Sequence, residues 1–402
     1  MTTTTTSQLR TATRARWAIM AVFAANGLLI SSMSVRVPSL KIDLGLTTGQ
    51  LGLSSALFGV AAIGAMQLSG RLVSRVGSVW IVRFAVPGCA LALVAMGLAP
   101  SWLVIAPVFV LFGAVHGMLD VAMNAHAVAI ERVMGRYVMN RCHAAWSIGA
   151  VTGSLLGSGA AGLGMDRWLH YVILAAVVIP ALLVTSRFLL PAGTDQIDAR
   201  TTQKWWTGWT ARLVALGVVG AIVLTCEGAV ISWSGVFLRD DVGASLGIAG
   251  LGLVAFSGCQ TAGRLVGDRL QARFSAGVLV RVGTLLGAGG LLLALLSSHP
   301  APAIVGLGLM GLGLATPLPV LFSVTGRLGA SSTASGVGST AAIALSRFTT
   351  MTYAGILLAP PVIGGFAEVV GLTVTLAVLV PLLVAVAVAA VAVTRDRQQP
   401  VG

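Results

Sequence analysis

The sequence predicts an all-α polytopic membrane protein, with twelve transmembrane helices arranged as two six-helix repeats. Three observations carry this. The 402-residue chain is 56% hydrophobic and only 9% charged, against about 25% charged residues in a soluble domain. Its mean hydropathy is +0.95. Its Lys and Arg residues sit in small groups between long apolar runs rather than in a patch or tail. A water-soluble fold this poor in charge could not cover its own surface, whereas a lipid-facing one need not.

A membrane-crossing helix needs roughly 20 apolar residues, so twelve use about 240 of the chain. Reading the apolar runs between charges and Pro/Gly breaks gives spans at 17–36, 50–70, 79–98, 102–129, 141–162, 168–190, 212–237, 246–266, 277–297, 301–325, 335–360 and 369–393. Helix is the form that fits, because inside lipid each backbone group must be paired within its own segment. The expected organisation is a disordered cytoplasmic tail over 1–16, a bundle over 17–190 and a cytoplasmic linker over 191–211. A second bundle over 212–393 and a cytoplasmic tail over 394–402 follow. Arg10, Arg14 and Arg16 ahead of Trp17 imitate a signal peptide. The apolar run is too long for one and no small-residue cleavage site follows it, so it reads as a first span.

These spans sort the basic residues. Of 25 Lys and Arg, only Arg36, Lys41, Arg167 and Arg239 fall on one side, Arg347 falls within a span, and the rest share the other side. Basic residues concentrate in cytoplasmic loops, which places both termini in the cytoplasm of a plasma (inner) membrane protein. The net charge of +13 is thereby explained without a nucleic-acid partner. In the linker, Trp205, Trp206 and Trp209 suit an amphipathic stretch at the membrane interface.

The stretch Gln67 to Val73 (QLSGRLV) recurs at an offset of 193 residues as Gln260 to Val266 (QTAGRLV). Each copy is expected to end a span on the arginine-rich side. Gly70 and Arg71 in the first copy, and Gly263, Arg264, Asp268 and Arg269 in and after the second, are candidate gating residues.

Ionisable side chains inside a membrane are costly and are candidate functional groups by default. In the fourth span His116, Asp120, Asn124, Ala127 and Glu131 fall within about 80° of one helix face, at roughly 100° per residue. Two roles fit Asp120 and Asn124: lining a cavity and binding protons, or clamping two helices together. In the fifth span Gly149, Gly153 and Gly157 form a small-residue ridge for close helix packing. His143 on another face suits either a gate or a bond to the loop near Glu131. Glu227 in the seventh span, with Trp233 after it, is a candidate proton carrier or a buried hydrogen-bonded acid. Arg347 must face a cavity or pair with an acid, with Glu227 the first choice and Asp120 the second. Alternatively it binds an anionic group of a solute.

Nucleotide-binding, metalloprotease and serine-hydrolase patterns are absent, and the five His are scattered. No enzyme activity, cofactor or metal site is expected. The four Cys form no CxxC pair and fall mostly inside apolar segments, so no disulfide or metal framework is expected.

Four blocks resemble the major facilitator superfamily, in a bacterial branch related to the fucose permeases. They are Arg36-Val37-Pro38 leading to Gln50-Leu51-Gly52; Asp120 to Asn124 with Glu131-Arg132 and His143 to Gly149; Glu227-Gly228-Ala229, Trp233-Ser234 and Gly263 to Arg269; and Tyr353-Ala354-Gly355 with Pro360 to Gly364. The resemblance implies secondary active transport by alternating access, often proton-coupled, of a small solute at a midplane site. It also implies a monomer whose partners are the solute, protons or another coupling ion, and the bilayer. An efflux antiporter and a non-transporting sensor on the same scaffold are the rival expectations. The chain departs from the family pattern at Ser74, where an Asp is usual, at Ser232, where the branch often has an acid, and at Arg347.

Overall fold

The computed structural model describes residues 6–135, 138–192, 209–334 and 341–394. Those residues form helices and no strands. Contacts divide the chain into two units, Met1–Thr201 and Thr202–Gly402.

The first unit contains α1 (Thr6–Val35), α2 (Val37–Leu44), α3 (Thr48–Val76), α4 (Ser78–Leu98), α5 (Trp102–Met134), α6 (Met139–Gly162) and α7 (Arg167–Thr185). The second contains α8 (Ala211–Asp240), α9 (Leu246–Arg273), α10 (Ala276–Leu296), α11 (Pro300–Leu314), α12 (Pro317–Ala334), α13 (Ala341–Val370), α14 (Leu372–Ala377) and α15 (Leu379–Thr394). Eleven stretches among the described residues are long and apolar enough to cross a membrane. Helix α6 supplies the twelfth crossing; its glycines and serines lower its hydropathy without shortening it. The tenth crossing is α11 followed by α12, broken ahead of Pro317 and Pro319. Proline lacks the N–H that a continuous helix needs and its ring crowds the preceding turn.

Helix ends follow local chemistry. Thr47 and Gln50 form a capping box at the start of α3, each side chain bonded to the other's backbone N–H. Thr210, Ser245 and Ser275 cap α8, α9 and α10. Gly77 alone joins α3 to α4 at φ +86°, a left-handed conformation that a side chain would strain.

Helix α1 begins at Thr6, well ahead of the expected start at Trp17, so residues 6–16 of the expected disordered tail are helical. No Gly or Pro interrupts residues 6–17, and Ala12 and Ala15 are buried, so the helix continues past the span. Most of the expected linker lies outside the described residues.

On the arginine-poor side, Arg167 pairs with Asp43 at 2.8 Å and Arg36 donates to the Met165 carbonyl at 2.6 Å. Burial lowers the pKa of the Arg36 guanidinium from its ordinary value, opposed by Tyr171 and Asp43. In the second unit the Asp241 carboxylate accepts from the backbone and hydroxyl of Thr373, tying the end of α8 to α14.

The units share a packing device. A side chain at Gly113 would strike the Phe58 carbonyl, and one at Gly311 the Phe256 carbonyl. Both members of the second pair lie 198 residues after those of the first. The structural register of the repeat is thus five residues from the sequence register of 193. Gly70 lies six residues before the end of α3, but Gly263 lies ten before the end of α9. The second copy still closes its apolar stretch, Leu246–Gly267, but α9 runs four residues further beyond it than α3 does beyond the first.

Candidate functional site

Each unit carries its own polar interior. In the first, α5 presents His116, Asp120 and Asn124 on successive turns, all half-buried. The amide Nδ2 of Asn124 donates to the Asp120 carbonyl at 2.8 Å and lies 3.4 Å from its Oδ1. Asp120 forms no other hydrogen bond or ion pair among the described residues. One turn earlier, His116 Nδ1 lies 3.3 Å from Nδ2 of Asn26 on α1, which is 2% exposed. The Asn26 Oδ1 accepts from the Trp146 indole of α6 at 2.9 Å. Phe58 and Phe112 flank the imidazole, with ring centroids 5.6 and 6.2 Å away.

The lower end of the stripe does different work. Ala127 is buried, and Glu131 Oε1 accepts from the backbone N–H groups of Val138 and Met139 at 2.7 and 2.9 Å. That carboxylate satisfies the open donors at the start of α6 and suits the positive end of its dipole. His143 is exposed, with its ring edge-on to Phe23 at 5.4 Å. The glycines of α6 face α1: a side chain at Gly149 would strike the Ala24 carbonyl, one at Gly153 the Leu28 carbonyl, and one at Gly157 the Val35 side chain. Gly27 meets the Trp146 carbonyl in the same way, and Ser32 donates to the Gly153 carbonyl at 3.2 Å. This close approach is what brings Trp146 within reach of Asn26.

In the second unit Glu227 lies near the middle of α8 and is 5% exposed. Its Oε2 is 3.7 Å from Arg264 Nη2 of α9, and Gln260, one turn before Arg264, flanks the carboxylate. Glu227 Oε1 and Gln260 Nε2 are buried without a hydrogen bond of ordinary geometry among the described residues. Trp233 is fully buried on the same helix, and its indole nitrogen has no hydrogen bond among the described residues.

Arg347 differs from expectation. Glu227 is paired with Arg264, and the Arg347 guanidinium stands 5.7 Å from the ring centroid of Trp209. Trp209 lies two residues before α8, and Arg347 is the seventh residue of α13, after the apolar stretch Ala341 to Leu345. A guanidinium over an indole face gains a cation–π contact.

Among the candidate gating residues, Gly263 abuts Ala315, Arg264 joins Glu227, and Arg269 is exposed. The side chains of Gly70, Arg71 and Asp268 lie outside the described residues. Sequence reasoning passed over Asn26, Trp146 and Gln260 as site residues. Asn26 carried a signal, as a lone amide in the apolar first span; the other two gained meaning only from their neighbours in space.

The description "Major Facilitator Superfamily" matches residues 19–343. An uncharacterized MFS-type transporter of Yersinia pestis is 31% identical over 378 residues, covering 94% of each chain. Among solved structures, the nucleoside transporter NupG superposes with a TM-score of 0.76 at 13% identity, over 95% of this chain and 100% of that one. The Escherichia coli fucose:proton symporter FucP does so with a TM-score of 0.60 at 15% identity, over 95% and 98%.

Proposed function

This chain belongs to the Major Facilitator Superfamily and is a membrane transporter, and we propose that it is a secondary active carrier driven by protons. It moves a small solute by alternating access, as a monomer in the inner membrane with both termini cytoplasmic. The observation that carries this reading is Glu227. A carboxylate at the middle of a membrane-crossing helix is expensive to bury. Its one cation partner is at 3.7 Å and its second oxygen is unbonded among the described residues. A group in that state can take up and release a proton while Arg264 stays charged and offers an alternating partner. Asp120 is the candidate solute-facing acid, because among the described residues its carboxylate is tied only to Asn124.

The orientation rests on the distribution of arginines. Cysteine placed at Ser298 is labelled by impermeant reagents from outside, and cysteine at Thr202 only once the membrane is opened; the reverse pattern overturns it. The transport reading is tested with purified protein. Solutes that raise its melting temperature are followed into proteoliposomes with and without an imposed pH gradient. Accumulation that needs the gradient supports the proposal. Equal uptake without it overturns proton coupling, and binding with no flux overturns transport.

A further inference from the structure

We propose that His116 is a solute-binding residue locked as one neutral tautomer, with its Nε2–H offered to an uncharged, hydroxyl-bearing solute. This rests on the reading of the chain as a solute carrier.

The lock follows from hydrogen-bond bookkeeping along one relay. An indole N–H donates and never accepts. The Asn26 atom facing Trp146 at 2.9 Å is therefore its oxygen. The amide nitrogen, which only donates, then faces His116 Nδ1 at 3.3 Å. That ring nitrogen must accept, so it carries no proton, and in a neutral imidazole the proton resides on Nε2. An imidazolium would set an N–H at Nδ1 against the Asn26 amide hydrogens. Turning the amide over would relieve that clash only by losing the Trp146 bond, and Asn26 is too buried to replace it from solvent. Among the described residues no charged group touches the ring. Asn26 faces the ring from α1, Phe58 from α3 and Phe112 from α5 itself. Asp120 is one turn away, and among the described residues it forms no ion pair with His116.

The lock leaves Nε2–H without a protein partner among the described residues, on a half-buried side chain. Asp120 offers an acceptor on the same helix face, about 5–6 Å along. A carboxylate solute would meet the donor but be repelled by Asp120. An ammonium would meet Asp120 but face the N–H of His116. A hydroxyl group accepts from one and donates to the other, and the half-buried ring of Phe58 offers an apolar surface beside them. Asn26 and Trp146 act on the solute only through His116, as positioning residues.

The test has a readout that needs no solute. In protein labelled with nitrogen-15 histidine, the His116 signal, identified by its loss in His116→Gln, should show a protonated Nε2 and a bare Nδ1 near neutral pH. Trp146→Phe should turn it into a mixture of tautomers, which a merely packed histidine would not do. A protonated Nδ1, an imidazolium, or an unchanged signal in Trp146→Phe overturns the lock. For the solute class, uridine, adenosine, L-fucose, D-glucose and glycerol are the probes, with acetate and choline as charged controls, read by melting temperature. At least one neutral probe should stabilise the protein. His116→Gln, whose amide nitrogen reaches the Nε2 position, should keep that affinity. His116→Phe, which fits between its aromatic neighbours, should lose about tenfold, the size of one hydrogen bond, while its own melting temperature stays near that of the parent. Stabilisation by the controls alone, or by no probe, overturns the class assignment. Loss of proton-driven uptake alongside an intact His116 result would instead count against the coupling assigned to Glu227.

Discussion

The two units solve one problem, a polar group inside an apolar bundle, in opposite ways. The first holds its polar atoms in a relay of neutral hydrogen bonds, Trp146 to Asn26 to His116, with one acid beyond it. The second holds an acid and a base, Glu227 and Arg264, at 3.7 Å. Yet both use glycines against backbone carbonyls to bring their helices close, Gly113 on Phe58 and Gly311 on Phe256. A shared framework with unlike contents points to divided labour: geometry for recognition in the first unit, movable charge for coupling in the second.

The shared framework should fail first. Gly149→Leu places a side chain on the Ala24 carbonyl, and Gly355→Leu one on the Ala221 carbonyl. Backbone cannot yield as a side-chain tip does, so each should cost at least the usual overpacking range of about 1–3 kcal/mol. Melting curves and the yield of folded protein measure this, and normal behaviour in either variant would break the claim of a common device.

The charge pair should come next. Glu227→Gln and Arg264→Gln each leave a partner unmatched. A fully buried pair would lose about 3–5 kcal/mol, but Arg264 is 36% exposed, so about 1–3 kcal/mol is expected. The double variant should regain most of that loss in a double-mutant cycle. Simple additivity would show that the two do not interact.

Asp120→Asn should change stability little, because Asn keeps an oxygen for Asn124. Solute uptake in the same variant should fall by about tenfold or more, as one charge-assisted bond is lost. Unchanged uptake would leave Asp120 a helix clamp. The smallest effect belongs to Arg347→Gln, which removes a contact with Trp209 worth about 0.5–1 kcal/mol where it is not fully desolvated. A loss several times larger would restore Arg347 to the functional site.

The fold was legible because lipid imposes a coarse rule. Runs of apolar residues and a one-sided set of arginines specify crossings without any knowledge of packing. Helix α6 shows how that rule works at its limit: it reads as a span by length and position although glycine and serine dilute it. The site was legible in part. Asp120, Glu227 and the stripe of α5 stand out by charge and helical spacing. Their partners did not, since Asn26 and Trp146 are 120 residues apart, and Arg264 appeared to belong to a loop motif. A five-residue shift of register moved that arginine into reach of Glu227, and nothing in a one-dimensional repeat reports such a shift.

The division of labour is tested most directly by separating exchange from accumulation in proteoliposomes. With a solute chosen by thermal shift, Glu227→Gln should still exchange labelled for unlabelled solute at near the parental rate. It should no longer accumulate solute under an imposed pH gradient. Loss of exchange and accumulation together, or retention of both, would contradict the assignment of coupling to the second unit and recognition to the first.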